Sequence, residues 1–139
     1  MDKEIIGAVE TVTIRELNNY RVHAKIDTGA KSSSLHCDTI RLEKGIVQFE
    51  IHGKGHASPH HTYEMPAAMI ETVRSSNGIA QQRIFVKMTV EIGSTAVETL
   101  VSLTDRSSMK YPMLIGRRFL AGRFLVDCSD KHLYKGESC

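Results

Sequence analysis

Two long strand-like runs, "QRIFVKMTVEIG" (82–93) and "TAVETLVSLTD" (95–105), lie side by side with only Gly93-Ser94 to turn the chain between them. A connection that short carries no parallel crossover, so the two runs must fold back on each other as an antiparallel hairpin. The same signature recurs on a smaller scale elsewhere. In "GAVETVTIREL" the residues Val9, Val12 and Ile14 alternate with polar ones, and Asn18-Asn19 is a turn signal before "YRVHAKI". "IVQFEIHG" (46–53) sets Val47, Phe49 and Ile51 against Ile46, Gln48 and Glu50, which is a strand with two different faces.

Helical periodicity is scarce. "PAAMIETVRSS" (66–76) fits two helical turns, and "GRRFLAG" (116–122) fits one, with Gly122 as its stop. There is no internal repeat, and "KSSS" is the one low-complexity stretch. The expected fold is therefore mainly β: a small closed barrel with one or two short helices, forming a single domain over residues 1–139.

Composition narrows the function classes. Charged residues make up 24% and hydrophobic ones 41%, which is ordinary globular usage. The net charge of +2 comes from 18 basic and 16 acidic residues, so any charged partner surface must arise from local clustering. Arg117-Arg118 is a basic pair, but aromatics total 6% and no basic stripe interleaves with them, which argues against nucleic acid. No stretch approaches a membrane span, and "MDKEIIGAVETVTI" lacks the apolar core and cleavage site of a signal peptide. Cys37, Cys128 and Cys139 are an odd number without CxxC spacing, so the expected setting is reducing and cytoplasmic.

Chemistry concentrates around "AKIDTGAKSSSLH" (24–36). Read plainly, this is a strand ending in a turn, with Asp27 capping local amides and Gly29 supplying a positive φ. Asp-Thr-Gly arises by chance in about one or two chains in a hundred of this length, so alone it says little. A second feature, "YPMLIGRRFL" (111–120), is an apolar strand that ends at Gly116 just before a helix-like turn. The pairing of hydrophobic-Asp-Thr-Gly-Ala with a later hydrophobic-hydrophobic-Gly resembles the retropepsin-like aspartic proteases. The intervening pieces follow the same order, from about residue 20 to residue 127. Within that superfamily the chain looks closest to a bacterial family labelled "ATP-dependent zinc protease", some members of which accompany a ligase that adds glutamates to a ribosomal protein. The sequence contains no GxxxxGK[ST] phosphate loop and no HExxH zinc helix, so neither half of that label is adopted.

The resemblance implies a definite chemistry. Asp27 would supply half of a carboxylate dyad, one member protonated as general acid and the other activating a water against the scissile carbonyl. Thr28 would bond across to its counterpart, Gly29 would allow a tight turn, and Ala30 would offer backbone groups to an extended peptide. Gly116 would let its strand pass close beneath the Asp loop. No other aspartate is followed by Thr-Gly or Ser-Gly, the nearest imitation being Asp105. The second carboxylate must then come from a second copy, as a symmetric homodimer.

The resemblance also implies a covering hairpin, and residues 50–66, "EIHGKGHASPHHTYEMP", stand at a suitable point with Gly53 and Gly55. This segment holds His52, His56, His60 and His61, a metal-binding composition. Their irregular spacing fits a polar loop better, so neither a metal nor a cofactor is expected. Retroviral relatives carry an acidic residue where this chain has Lys31, paired with an arginine at the position of Arg117; here that ion pair cannot form. Lys31, Arg117 and Arg118, with Arg123 beside them, then suit an acidic peptide substrate, glutamate-rich tails of a ribosomal protein among them. The duller alternative pairs Arg117 with a carboxylate such as Glu16. His36-Cys37 suggests a thiol nucleophile, but neighbours on a strand face opposite ways and a buried, inert Cys37 fits better. "KSSS" invites phosphorylation, though its hydroxyls suit local backbone groups. Two functions remain in play: an aspartic peptidase, and a non-catalytic module that holds peptide on the same fold.

Overall fold

The computed structural model describes residues 3–52, 60–74, 77–104 and 110–132. In chain order the first strands are β1 (Glu4–Ile6), β2 (Val9–Ile14), β3 (Tyr20–Ile26), β4 (Ser33–His36), β5 (Asp38–Glu43) and β6 (Ile46–His52). They continue as β7 (His60–Pro66), β8 (Met69–Arg74), β9 (Ala80–Ile92), β10 (Thr95–Thr104), β11 (Met113–Ile115) and β12 (Phe124–Val126). A 3-10 turn, Arg15–Leu17, follows β2, and the helix α1 (Arg117–Leu120) follows β11.

The long hairpin forms as expected, with β9 and β10 in register from Thr95 opposite Ile92 to Leu103 opposite Ile84. It closes a six-stranded barrel in the order β10-β4-β11-β3-β2-β9. Period-2 alternation sends Val12 and Ile14, Val22, Ala24 and Ile26, and Val86, Met88, Val90 and Ile92 into one core. The fold is thus mainly β, with one short helix among the described residues.

A second sheet, β5-β6-β7, covers part of the barrel. Val47, Phe49 and Ile51 point into the shared core, while Ile46 on the opposite face stays exposed. Phe49 stacks on Tyr63 of β7 at 5.9 Å between ring centres. The helix contributes Phe119 and Leu120, and Phe119 stacks on Phe124 at 5.6 Å.

The described part of residues 66–76, which ends at 74, does not form the helix that the spacing suggests. Met69–Arg74 is β8, paired with β9 from Met69 opposite Phe85 to Arg74 opposite Ala80. Ile70, Thr72 and Val73 are β-branched, and the open edge of β9 offers them a ready partner; tertiary pairing outweighs a short helical period. Asn18 and Asn19 make the expected turn, both with left-handed backbones (φ 57° and 56°). Beyond Ile14 the backbone of β2 leaves β9, and the Glu16 carboxylate takes over. It accepts the Thr89 N–H at 2.6 Å and the Thr89 hydroxyl at 2.8 Å.

The two ends of the described chain meet. β1 and β12 pair in parallel, with Ile5 opposite Leu125, as a sheet of their own. Ala8 N–H donates to the Asp130 carbonyl at 2.7 Å, Asp127 N–H to Ile6 at 2.8 Å and His132 N–H to Val9 at 2.7 Å. Ile26 N–H donates to Ala8 at 2.9 Å, which ties this strap to the last residue of β3.

Phe49 is fully buried and joins the covering sheet to the barrel. Phe49→Ala is expected to cost about 3–5 kcal/mol of stability. A urea titration followed by circular dichroism measures it, and a loss below about 1 kcal/mol would mean that the two layers are not one core.

Candidate functional site

The site is built where three strands meet. β11 lies between β3 and β4, parallel to β3 (Ile115 opposite Ile26) and antiparallel to β4 (Leu114 opposite Ser34). Residues 27–32, which connect β3 to β4, must therefore cross over the exit of β11. Asp27 N–H donates to the Ile115 carbonyl at 2.9 Å, so the carboxylate starts directly from the barrel wall. Its Oδ1 accepts the Gly29 N–H at 2.9 Å, and Ala30 N–H closes the turn on the Asp27 carbonyl at 3.2 Å. Asp27 is half-buried, and Oδ2 takes no hydrogen bond among the described residues.

Gly29 does not adopt the positive φ that its place in the turn suggested. What it supplies is room, because a Cβ there would lie 3.2 Å from Asp27 Oδ1. Gly116 is under a stricter constraint. A Cβ on it would lie 2.6 Å from the carbonyl carbon and oxygen of Ser32 and 2.9 Å from the Ala30 oxygen. Its N–H donates to Ser33 Oγ at 3.1 Å. The first amides of α1 then face the loop: Arg117 N–H donates to Ala30 at 2.8 Å and Arg118 N–H to Lys31 at 3.0 Å. Helix amides that lack an internal partner are thus spent on fixing the Asp loop.

The basic residues divide into separate roles. Arg117 reaches Thr28, its Nη1 donating to the Thr28 carbonyl at 3.0 Å, and the alternative partner Glu16 is instead bound to Thr89. Lys31 and Arg117 are both exposed, and the Arg117 N–H donates to Ala30, the chain neighbour of Lys31. Arg118 is exposed on α1. Arg123 belongs elsewhere, since its Nη1 donates to the carbonyls of Phe119 (2.9 Å) and Arg118 (3.4 Å) and so caps the end of α1.

His36 Nε2 lies 3.5 Å from Asp38 Oδ1, so the His36-Cys37 dipeptide makes no Cys–His pair. Burial, with the nearby Asp38 as a lesser cause, pushes the Cys37 thiol far above its ordinary pKa, which suits an inert core residue. Gly53, Gly55, His56 and Asp105 lie outside the described residues, as do the side chains of His52 and His60. Among the described residues no group of three or more His, Cys, Asp or Glu is placed to hold a metal ion. The remaining described aspartates are engaged elsewhere: Asp38 with His36, Asp127 with Ser129, and Asp130 with the Lys131 amide.

A family model described as RimB-like, retropepsin-like aspartic endopeptidase RimB, matches residues 5–137. The chain belongs to the RimB-like family. It is 32% identical over 134 residues to a probable alpha-L-glutamate ligase of Shewanella pealeana, covering 93% of this chain and 29% of that protein. A probable alpha-L-glutamate ligase of Parasynechococcus marenigrum is also 32% identical, over 135 residues, 94% of this chain and 29% of its own length. The chain thus spans 29% of the length of these curated relatives. A solved structure from Legionella pneumophila, a protein of unknown function, superposes with a TM-score of 0.76 at 28% identity, covering 95% of this chain and 98% of that one. Both family membership and the barrel agree with the resemblance drawn from "IDTGA" and "LIGRR".

The contact of Gly116 with the Asp loop has a direct consequence. Gly116→Ala is expected to destabilise the protein by roughly 2–3 kcal/mol, because backbone rather than a flexible side chain must yield. Thermal unfolding measures it, and a melting temperature equal to that of wild type would show that the loop is not held by this contact.

Proposed function

We propose that the chain is an aspartic peptidase whose dyad consists of Asp27 from each of two identical subunits. The observation that carries this reading is the fixed Asp27 turn: one carboxylate oxygen held by Gly29 N–H, the other without a partner among the described residues, on a loop clamped from below by Gly116. In the dyad, one carboxyl is protonated and its partner ionised, since two adjacent negative charges repel. The ionised member takes a proton from water as the water attacks the scissile carbonyl. The protonated member gives its proton to the carbonyl oxygen. Collapse of the tetrahedral intermediate expels the amine, which takes the proton that the first member drew from water, while the second member recovers its proton from a hydroxyl of the intermediate. Thr28 and the Thr28-to-Arg117 bond keep the loop rigid, as does Ala30. The Ala30 backbone is not offered to substrate as the resemblance implied but is spent within the site, its N–H on the Asp27 carbonyl and its carbonyl on the Arg117 N–H.

Two further features support the dimer. No second carboxylate stands beside Asp27 among the described residues. The β1–β12 sheet also presents Ile5 and Leu125 outward in register, 55% and 54% exposed. Such a pair on a two-stranded sheet suits burial against a second copy. For substrate, Lys31 and Arg117 at the rim favour an acidic peptide. Because relatives are named probable alpha-L-glutamate ligases, a glutamate-bearing protein tail is the first candidate. The ribosomal-protein tail and the cytoplasmic setting expected from the sequence belong to the same proposal. The competing reading is a binding module that holds such a tail without cutting it.

Asp27→Asn is expected to lower turnover of an acidic peptide by at least about a thousandfold while circular dichroism stays unchanged. Sedimentation should show a concentration-dependent dimer that Leu125→Asp dissociates. Cleavage by the Asp27→Asn protein at the wild-type rate, or a monomer at every concentration, overturns the peptidase reading. Peptide binding without turnover at any pH selects the binding module.

The covering hairpin has two candidates. Residues 50–66 are one. The β8–β9 hairpin is the other, favoured by its exposure on both faces: β9 is exposed from Ala80 to Arg83 and becomes buried only at Phe85. Its turn carries Gly78 (φ 83°) and Ile79, which is 65% exposed. An apolar residue so exposed on a projecting ribbon gains most by closing over a ligand. Ile79→Asp is expected to raise KM for peptide several-fold, and by more than Gly55→Ala does; the reverse order returns the role to 50–66.

A further inference from the structure

A cavity of about 310 Å³ opens on the outside of the barrel, in the corner between α1 and the β9–β10 hairpin. Lys87, Glu98, Thr99, Leu100 and Arg118 line it. The register explains the grouping. Lys87 stands directly opposite Leu100, and Glu98 lies two residues further along the same face of β10. Arg118 comes from α1, whose own amide is fixed on Lys31 at the end of the Asp loop. Lys87 and Arg118 are both exposed, and neither side chain forms an ion pair among the described residues.

Lys87 also borders a second cavity, of about 500 Å³, lined by Glu16, Met65, Pro66 and Ala68. The Glu16 carboxylate is already occupied by Thr89 there, so the remaining surface is mostly apolar. The two cavities share Lys87 as a lining residue; on the side with Arg118 the surface is cationic, and on the side with Met65 and Pro66 it is apolar.

We propose that the two cavities act together as one track across Lys87, a second, non-catalytic binding site for an acidic peptide. A carboxylate of the peptide sits between Lys87 and Arg118, and the chain continues over Met65 and Pro66. The charges select the ligand. Two cations and one carboxylate give the first cavity a net charge of +1, which one carboxylate neutralises. A phosphate monoester or the end of a polyphosphate, at about −1.5 to −2, would overshoot that charge, whereas an acidic peptide places one carboxylate there and leaves its others in solvent. The Arg118 guanidinium presents the forked donors that a carboxylate accepts in pairs. The peptide character of the ligand rests on the proposed peptidase reading, whereas the carboxylate site rests on these side chains alone.

The test is titration of hexaglutamate into the Asp27→Asn protein, which separates binding from any cleavage, followed by amide NMR. The spectrum of each variant reports its folding directly. Saturable shifts are expected at Lys87, Leu100 and Arg118. The Lys87→Glu/Arg118→Glu pair should weaken this binding about tenfold or more, and Glu98→Gln should tighten it about two- to threefold. Hexaglutamate that leaves these amides unmoved, an affinity indifferent to the charge reversal, or tighter binding of inorganic tripolyphosphate at the same amides would each overturn the site. Failure of the peptidase reading looks different: wild-type protein binds hexaglutamate at these amides yet cuts no peptide.

Discussion

The structure around Asp27 depends on one close approach, the passage of Gly116 beneath residues 30–32. β11 runs between β3 and β4, and the loop joining those two strands has to cross its exit at backbone contact distance. No side chain fits between them. Once that contact is made, the other bonds follow geometrically. Ile115 receives the Asp27 amide, Ser33 receives the Gly116 amide, and the first two amides of α1 fall on the carbonyls of Ala30 and Lys31. A carboxylate held this way has little freedom, and that suits chemistry in which a second carboxylate must meet it at hydrogen-bond distance.

This dependence explains why the Asp loop and the glycine beneath it were legible in the sequence. Asp27-Thr28-Gly29 alone reads as an ordinary turn. It acquires meaning only with Leu114-Ile115-Gly116, because the two segments are the two sides of one contact. The barrel strands were legible for a different reason. β2, β3, β6, β9 and β10 each bury alternate residues, which imprints a period of two on the sequence. β5 leaves no such mark: it is largely exposed, and its pairing with β6 shifts register between Asp38 and Arg41. β1 and β12 are three residues each, too short for a period, and their parallel pairing joins opposite ends of the chain. β8 shows how a helical spacing fails when a neighbouring edge offers pairing that an isolated two-turn helix cannot match.

The basic residues show where sequence reasoning reaches its limit. Lys31, Arg117, Arg118 and Arg123 looked like one cationic rim. In the structure Arg123 closes the end of α1, Arg117 holds the Thr28 carbonyl, and Arg118 lines a cavity with Lys87. Adjacent helix residues diverge by roughly 100°, so a run of arginines on one turn serves several faces. Buried or bonded partners decide between them, and a one-dimensional pattern does not contain those partners. Arg117 still keeps unused donors after bonding Thr28, since a guanidinium carries five. It therefore stiffens the Asp loop without giving up its charge at the rim.

Symmetry adds a constraint on how the proposed sites act together. A dyad formed on a two-fold axis is a single catalytic centre, whereas every other feature of the subunit occurs twice in the dimer. A peptide has a direction and cannot satisfy both halves of a symmetric cleft equally. The carboxylate tracks beside Lys87 and Arg118 would then number two for each centre, one along either approach. A long acidic tail held at one track would present itself in one orientation, while the empty track would serve the opposite orientation. Tail binding and cleavage would accordingly saturate with different stoichiometries, two tails for each dimer against one scissile bond at a time. Such a division lets weak surface ion pairs, each contributing little alone, raise the local concentration of substrate at the dyad without making the cleft itself asymmetric.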